Sequence, residues 1–406
     1  MINIYNSIIF FSTIIIRIGS LFSNKTNKLY LGRKNIKNYF RNNNIDKDKK
    51  IWIHVSSVGE FEQVKPLIQQ IKTKSNHRIF VTFFSPSVEK SISEYSQIDF
   101  SCYLPEDSSK NIKMMYENIN PKILIIVKYE FWHHLIKEGV NKNIPIISIS
   151  SVFRKNQIYF KGVTFFSEIL KNINQFYVQN NESKLLLKTI HITKCEVVGD
   201  TRFDRVFKVS QEAKKFLRIN KFLNNNKTII IGSSWKSDIH LIKEYINKHN
   251  SLKYIIAPHN INENEYAYIE KLFLNKTIRY SLIKEKDISN KNILIIDNIG
   301  MLSSIYKYGD IAYIGGAFEG ALHNTLEAAV FDLPIIYGEH TNNKKFNEVK
   351  DLEKLNLSFS INSSKEFEKK IYKLLNNNKE YGTRNYILNN IGATSKIYKS
   401  MNKYLK

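Results

Sequence analysis

The sequence has few of the residues and motifs that define several large enzyme classes. Its 406 residues include only two cysteines, Cys102 and Cys195, and neither belongs to a CxxC pair or a metal-spaced cluster. This scarcity fits a reducing cytosol and a fold without structural zinc. No HExxH, GxSxG or GxxxxGK[ST] occurs, which argues against zinc proteases, serine hydrolases and P-loop enzymes.

Acidic residues are also scarce relative to basic ones. The chain has 37 Asp and Glu against 61 Lys and Arg, a formal net charge of +24. Such an excess can indicate nucleic acid, an anionic membrane or a phosphorylated substrate as partner. Lys, Asn and Ile are, however, abundant throughout the chain, and no RNP, KH or zinc-finger signature occurs. We therefore expect no nucleic-acid partner.

Long apolar runs are absent except at the N-terminus. The segment from Ile2 to Phe22 carries one charge, Arg17, and basic residues follow it. A secretory signal has its positive charges before the apolar run, so the pattern predicts a retained membrane anchor with a cytoplasmic basic flank. The segment is marginally long enough to span a bilayer. A helix lying in the membrane interface and a buried core helix are the alternatives.

The rest of the chain alternates short β-branched runs with amphipathic stretches, the rhythm of a parallel α/β sheet. It does so in two tandem halves, which predict two Rossmann-like domains facing a cleft. The expected divisions are 1–24 (anchor), 25–205, 206–385, and a C-terminal helix at 386–406 that packs back on the first domain. The expected strands are 51–57, 77–85, 122–130, 144–151 and 175–180 in the first half, and 227–235, 253–260, 292–298, 309–316 and 333–338 in the second.

Ligands in such sheets bind beyond the carboxyl ends of the strands, so the residues after each strand are candidates. In WIHVSSVGEFEQVKPLI a strand stops at Gly59 and a helix begins near Glu60. A carboxylate there is favoured in its ionised form and can accept a proton. Acidic residues are also common in first helical turns for structural reasons alone, and spacing does not separate Glu60 from Glu62.

Two further segments have the same placement. Glu130 and Trp132 directly follow the strand at 122–130. In GDIAYIGGAFEGALHNTLEAA a strand ends in two glycines, and His323, Asn324 and Thr325 are expected to open a helix carrying Glu327. Glycines and a helix start suit a phosphate, while Asn324 also suits a structural N-cap. The DxD at Asp46 and Asp48 lies in a Lys-rich connection and carries little weight as a metal site.

Together these segments resemble the 3-deoxy-D-manno-octulosonic acid (Kdo) transferase family, glycosyltransferase family 30. The match follows the family's order over nearly the whole chain: the apolar N-terminus, SVGE (57–60), TFFSPS (82–87), PKILIIVKYEFW (121–132), ISSVFRKNQIYFK (149–161), VVGDTRFDRV (197–206), GSSW (232–235), Pro258–His259, and HNTLEAA with NKKF (343–346).

The resemblance implies a GT-B enzyme on the cytoplasmic face of the inner membrane, in contact with its anionic surface. It would transfer Kdo from CMP-Kdo to a lipid A precursor, lipid IVA, in lipopolysaccharide biosynthesis, with inversion and without a metal or other cofactor. Glu60 would be the general base. Glu130, Arg154 and Arg202 would bind acceptor or sugar, and the nucleotide side would comprise Ser233, Ser234, Pro258, His259, Gly316, His323, Asn324 and Glu327.

Some residues depart from the family pattern. Pro258 precedes His259 directly where many members have Pro-Arg-His, so Lys344 or Lys345 would have to replace that arginine. Ala321 and Leu322 stand where many members have two glycines. Another GT-B nucleotide-sugar transferase acting on a lipid or glycan acceptor is the alternative enzyme, and a non-catalytic scaffold is the alternative outside enzymes.

Overall fold

The computed structural model describes residues 1–283, 288, 290–376 and 380–405, apart from the side chain of Lys344. The chain forms two compact units. Unit 1 comprises Met1–Arg205 and the C-terminal segment from Ile391, and unit 2 comprises Val206–Asn390. Each unit contains its own parallel β-sheet with helices around it.

Unit 1 is built on a sheet with the order β3-β2-β1-β4-β5-β6-β7. Its central strands are β-branched runs buried on both faces, as parallel sheets require. In register, Ile53 of β1 lies between Val81 of β2 and Ile125 of β4. The strands are β1 (Lys50–Val55), β2 (Ile79–Phe83), β3 (Phe100–Tyr103), β4 (Pro121–Val127), β5 (Ile146–Ser151), β6 (Gln175–Val178) and β7 (Cys195–Val197).

Helices connect and cover these strands. The C-terminal helix α19 (Ala393–Met401) belongs to unit 1, and the Asp204 carboxylate accepts the backbone N–H groups of Gly392 and Thr394 at its start. The other helices here are α1 (Ile2–Gly19), α2 (Asn24–Lys34), α3 (Ile36–Asn42), α4 (Val58–Lys74), α5 (Glu89–Ser93), α6 (Ser109–Ile119), α7 (His133–Asn141), α8 (Thr164–Lys171), α9 (Asn181–Thr189) and α10 (Thr201–Gln211), which continues into unit 2.

The N-terminal helix α1 is long and apolar enough to cross a membrane by length and composition. None of its residues is buried, so the alternative of a buried core helix is wrong. One face nevertheless contacts unit 1: the Tyr5 hydroxyl donates to Asp107 Oδ2 at 2.6 Å and accepts from the His133 N–H at 3.2 Å. The helix therefore lies against the unit, with its other face exposed.

Unit 2 has, among its described residues, a sheet with the order β10-β11-β9-β8-β12-β13-β14. Its strands are β8 (Thr228–Ser234), β9 (Lys253–Pro258), β10 (Thr277–Arg279), β11 (Ile293–Ile295), β12 (Ile311–Ile314), β13 (Ile335–Gly338) and β14 (Ser358–Ile361). Its helices are α11 (Leu217–Leu223), α12 (Lys236–Lys248), α13 (Glu263–Leu272), α14 (Leu302–Ile305), α15 (Leu326–Ala329), α16 (Asn347–Lys354), α17 (Ser364–Leu375) and α18 (Thr383–Asn390).

The predicted α/β class with two Rossmann-like units is confirmed. In each sheet the strand order reverses beside the unit's first strand, between β1 and β4 in unit 1 and between β8 and β12 in unit 2. Ligands of open parallel sheets bind at this switch point, outside the carboxyl ends of the strands. Glu60 and Glu130 follow β1 and β4, whereas Ser234 and Gly316 stand at the ends of β8 and β12.

Candidate active site

Glu60 lies in the first turn of α4, at the switch point of unit 1. Ser57 caps the helix by accepting the Glu60 N–H, and the Glu60 carboxylate accepts the Ser56 N–H at 2.5 Å. The residue is 6% exposed. Burial raises the pKa of this carboxyl group, and the negative charge of Glu130 raises it further against the lowering effect of the Ser56 N–H. Glu60 is thus a buried carboxylate with a raised affinity for protons.

Glu130, after β4, faces the same region. Its Oε2 accepts the Trp132 indole N–H at 2.9 Å and lies 3.8 Å from His54 Nε2. Burial tends to raise its pKa, but His54, Trp132 and Ser56 favour the ionised form more strongly, and the net shift of the pKa is downward. The two carboxyl groups therefore have opposite pKa shifts, the pattern by which one group stays charged while its neighbour exchanges protons.

His54 is a residue of this site that sequence reasoning missed. It is fully buried in β1, and its Nδ1 lies 3.0 Å from Thr82 Oγ1. Its Nε2 is buried without a hydrogen-bond partner among the described residues and faces Glu130. His54 stands within the WIHVSS stretch, but only the pairing of β1 with β4 brings it to Glu130.

Glu62 is distinguished from Glu60 by its contacts. Its carboxylate is 34% exposed and forms ion pairs with Lys65 and with Arg205, whose Nε lies 2.9 Å from Glu62 Oε2. Glu62 is therefore engaged in surface ion pairs, while Glu60 is directed into the unit near Glu130.

The two arginines predicted to bind acceptor or sugar occupy different surroundings. Arg202, in the first turn of α10, is held by Asp200, with Nε and one terminal nitrogen 2.8 and 2.7 Å from Asp200 Oδ2. Gln63 of α4 donates to the other oxygen of Asp200 at 3.4 Å, which links this pair to the Glu60 helix. Arg154 is exposed after β5, and its charge and hydrogen bonding act on the Tyr129 hydroxyl.

The predicted nucleotide residues of unit 2 converge at the carboxyl ends of β8, β9 and β12. The His259 N–H donates to Ser234 O at 2.9 Å, and the His323 N–H donates to Gly315 O at 3.3 Å. Ser233 and Gly316 adopt left-handed backbone conformations, with φ of 51° and 90°. A Cβ on Gly316 would lie 2.5 Å from Ala321 O, so this turn requires glycine. Ser234 Oγ is buried and has no hydrogen-bond partner in the part of the chain that the structure describes.

Three aromatic rings stand together beside these turns. Trp235 stacks on His259 with ring centroids 4.5 Å apart, and His259 lies 4.6 Å from His323. The Trp235 indole N–H donates to His323 Nε2 at 3.4 Å. Burial lowers the pKa of His323 to about 4, and His259 adds to the shift. His323 is therefore neutral at pH 7, and a hydrogen bond accepted at Nε2 leaves its proton on Nδ1.

Asp238, in the first turn of α12, is a second residue that sequence reasoning missed. It is fully buried, and its carboxylate accepts from the Trp235 N–H at 2.8 Å, the Gly316 N–H at 3.0 Å and the Tyr313 hydroxyl at 2.8 Å. Asp238 thereby ties the turn after β8 to the glycine turn after β12. An acidic residue three positions after Trp235 was the available signal.

The helix expected to open at His323 and Asn324 is shorter than predicted. It begins at Leu326, with Thr325 as N-cap, and ends at Ala329. Asn324 instead accepts the Leu326 N–H at 3.2 Å, and its amide donates to Glu327 Oε1 at 3.2 Å. The glycine turn and these local bonds hold residues 316–325 outside the helix, so the backbone amides and side chains of this loop, rather than a helix dipole, would contact an anion.

The DxD aspartate and the two lysines near Phe346 were the remaining candidates for ligand binding. Asp46 pairs with Lys50 and Arg78, at 3.0 and 2.7 Å, so this Asp of the DxD stabilises the entry to β1. No group of three His, Cys, Asp or Glu residues in the described ranges could hold a metal ion. Lys345 has a polar or ring contact, and the side chain of Lys344 lies outside the described residues.

Known proteins are similar to this chain in both sequence and fold. Residues 31–205 match the family described as 3-deoxy-D-manno-octulosonic-acid transferase (kdotransferase). The 3-deoxy-D-manno-octulosonic acid transferase of Aquifex aeolicus is 28% identical over 340 residues, covering 81% of this chain and 87% of that protein. The enzyme of the same description from Haemophilus influenzae is 24% identical over 378 residues, covering 88% and 87%.

Similarity to a solved structure supports the fold of this chain, and at low sequence identity it supports no more than the fold. The UDP-GlcNAc 2-epimerase from Neisseria meningitidis bound to UDP-GlcNAc superposes with a TM-score of 0.62, covering 87% of this chain and all of that one, at 16% identity. Its similarity extends over both units and agrees with the predicted GT-B class. With the sequence matches over most of the chain, the predicted resemblance to the Kdo transferase family is confirmed, and the chain is a glycosyltransferase.

Proposed function

We propose that this enzyme transfers Kdo from CMP-Kdo to a lipid A precursor, lipid IVA, in lipopolysaccharide biosynthesis, with Glu60 as general base. One observation supports the base assignment above the others. Glu60 is a buried carboxylate at the sheet's switch point, next to a second carboxylate that raises its pKa. The relatives' description supports Kdo as the transferred sugar.

In the proposed reaction the Glu60 carboxylate takes the proton of an acceptor hydroxyl. The hydroxyl oxygen forms a bond to the anomeric carbon of Kdo from the face opposite the phosphate, and the bond from that carbon to the phosphate oxygen breaks. The electron pair of that bond leaves with CMP, so the product has the inverted configuration. A general base of this kind contributes roughly 10²–10⁴-fold to the rate.

The donor side requires charge stabilisation more than proton transfer, because CMP leaves as a phosphate anion. In unit 2 the glycine turn, the buried Ser234 hydroxyl and the protonated Nδ1 of neutral His323 supply hydrogen-bond donors for such an anion. Glu327, whose carboxylate interacts with Asn324, would accept from ribose hydroxyls. On this proposal the transfer needs no metal.

The proposal includes attachment to the cytoplasmic face of the inner membrane. Helix α1 presents exposed apolar residues along one face, and Lys25, Lys28, Arg33 and Lys34 follow it in α2. Basic residues near an apolar segment favour an anionic membrane surface.

The test compares Kdo transfer by the wild type, Glu60→Gln and Glu62→Gln, with CMP-Kdo generated in situ and a tetraacyl disaccharide bisphosphate as acceptor. After CMP-Kdo has formed, EDTA is added. We expect kcat to fall by roughly 10²–10⁴-fold in Glu60→Gln, while Glu62→Gln stays within a few-fold of wild type and EDTA has no effect.

Equal loss in the two variants would contradict the base assignment, and inhibition by EDTA would contradict metal independence. A folded wild-type protein that makes no product would contradict the substrates. Nucleotide sugars with other bases would then be tested with the same acceptor.

A further inference from the structure

A cavity of about 230 Å³ lies between α1 and the carboxyl end of the unit 1 sheet. Its walls are largely apolar. Ile9 and Ile16 of α1 form one side, and Phe84, Leu104 and Trp132, which follow β2, β3 and β4, form the other. A cavity of this composition fits an apolar ligand fragment.

The cavity adjoins the candidate active site at Trp132. The ring of Trp132 lines the cavity, while its indole N–H donates to Glu130 Oε2. Phe84 stacks against Trp132 with parallel rings 6.3 Å apart, and its backbone N–H donates to Val55 O at the end of β1. A ligand bound here would therefore extend toward the carboxylates.

One wall also carries a positive charge. Arg33 Nε donates to Leu104 O at 3.0 Å, and the guanidinium carbon lies 4.7 Å from the centre of the Phe84 ring. Among the described contacts its terminal nitrogens bind no protein acceptor. Burial lowers the pKa of Arg33, and the charges of Glu106 and Glu130 oppose that shift. Arg33 remains a cation that can bind a phosphate.

The neighbouring carboxylates are occupied by partners in the protein. Asp107 accepts from the Tyr5 hydroxyl and from the N–H groups of His134 and Leu135, and Glu106 accepts from the Asn111 amide at 3.2 Å. The opposite face of α1 is apolar and exposed, with Phe11 and Ile15 at 60% and 69%. A ligand in the cavity would thus share α1 with whatever apolar phase covers that face.

We infer that this cavity binds one acyl chain of the acceptor lipid, with Arg33 contacting a phosphate of its head group. The apolar walls, the partly buried cation and the contact of Trp132 with Glu130 together fit an anionic lipid rather than a neutral or soluble ligand. The inference rests on the proposed function for the identity of that lipid. On this basis α1 is part of the acceptor site as well as an attachment to the membrane.

The test fills the cavity from α1. Ser12 lines it, and its hydroxyl donates to Ile9 O of the same helix at 2.7 Å. Ser12→Trp would occupy the space, and Ile15→Trp, on the exposed face, is the matched control. We expect the ratio of kcat/KM for the tetraacyl acceptor to kcat/KM for the deacylated disaccharide bisphosphate to fall at least about tenfold in Ser12→Trp and to keep its wild-type value in Ile15→Trp. An unchanged ratio in both variants, or an equal fall in both, would overturn the inference.

A binding measurement separates this inference from the proposed reaction. Dodecyl phosphate and dodecanol are titrated by calorimetry below their aggregation concentrations, so no turnover is needed. We expect wild type to prefer the phosphate, Arg33→Met to lose that preference, and Ser12→Trp to lose binding of both. If these hold while no acceptor is glycosylated, the proposed function fails and the cavity assignment stands. Wild-type binding of neither probe, or equal binding of both, would overturn the cavity assignment.

Discussion

Glu60 and Asp238 occupy the same position in two helices and do different work. Each is the third residue after an N-cap, in α4 and α12, and each accepts a backbone N–H from the chain just before the helix. Glu366 in α17 repeats the arrangement on the surface, where it accepts the Asn362 N–H at 2.9 Å. The local motif is a helix start in all three cases, and only the surroundings differ.

The surroundings decide what each carboxylate can do. Asp238 accepts from three donors, two on loops and one, Tyr313, on β12, so it acts as an anchor for the glycine turn of unit 2. Glu60 accepts from Ser56 alone among the described hydrogen bonds and faces another carboxylate. Burial with donors holds a structure together, whereas burial beside a like charge creates a group that binds protons more strongly. A first-turn acid becomes a candidate base through what surrounds it.

The largest expected effect comes from breaking the anchor. Asp238→Ala leaves two buried donors and one part-buried donor without an acceptor, so we expect the free energy of unfolding to fall by about 3 kcal/mol. Because the Gly316 turn loosens, KM for the donor should also rise. Glu366→Ala, at the exposed copy of the motif, should change stability by no more than about 0.5 kcal/mol. Urea unfolding of both variants measures this, and equal losses would show that the cap alone, rather than the buried network, carries the effect.

A smaller effect is expected from removing the charge beside Glu60. Glu130→Gln eliminates the repulsion that raises the pKa of Glu60, so the acid limb of the kcat/KM profile should move to lower pH. Loss of one charged contact should lower kcat/KM at pH 7 by roughly tenfold. Glu62→Gln, which alters a surface ion pair, should leave the limb in place. If the acid limb of the kcat/KM profile of Glu130→Gln lies at the same pH as in wild type, Glu60 is not the group whose titration the limb reports.

Most strands could be predicted from the hydrophobic pattern of the sequence. The strands that could not be predicted share one property. The β-branched runs at 51–57, 122–130 and 227–235 correspond to β1, β4 and β8, which are buried on both faces. The four strands not predicted are β3, β7, β10 and β14, and all four are edge strands. Edge strands are short and only partly covered, so sequences such as CEV and TIR carry little periodic signal.

The candidate site was predictable where a motif marks a strand end, as at Ser57–Glu60. It was not predictable where tertiary pairing creates the chemistry. His54 reaches Glu130 because β1 pairs with β4, and Asp238 reaches Gly316 because β8 lies beside β12. Neither neighbour is close in sequence, so spacing along the chain could not reveal the contact. The start of α15 was misplaced for a related reason, because a glycine turn and the Asn324 side chain hold the loop.

The smallest expected effect is on the thermal stability of Glu60→Gln, which should be higher than that of wild type although most substitutions of buried residues are destabilising. Because the pKa of Glu60 is raised above 4.5, ionising it costs folding free energy, and this cost grows as pH rises through 4.5 and persists above the folded pKa. Glu60→Gln keeps an acceptor for the Ser56 N–H and removes the cost. We expect its Tm at pH 7 to exceed that of wild type by roughly 2–4 °C, the shift that about 1 kcal/mol produces in a domain of 150–250 residues.

Replacing Glu130 should change the melting temperature in the opposite direction. Its folded pKa is lowered, so its ionised form contributes stability above pH 4.5 that is lost as pH falls. Glu130→Gln should therefore melt below wild type at pH 7, and this difference should shrink as the pH falls below 4.5. The Glu60→Gln difference should shrink earlier, as the pH falls from the raised folded pKa toward 4.5. Thermal melts of the two variants across pH 3.5–7.5 test this. A Glu60→Gln variant that is less stable than wild type at pH 7 would place Glu60 with Asp238, as a carboxylate retained for structure rather than for chemistry.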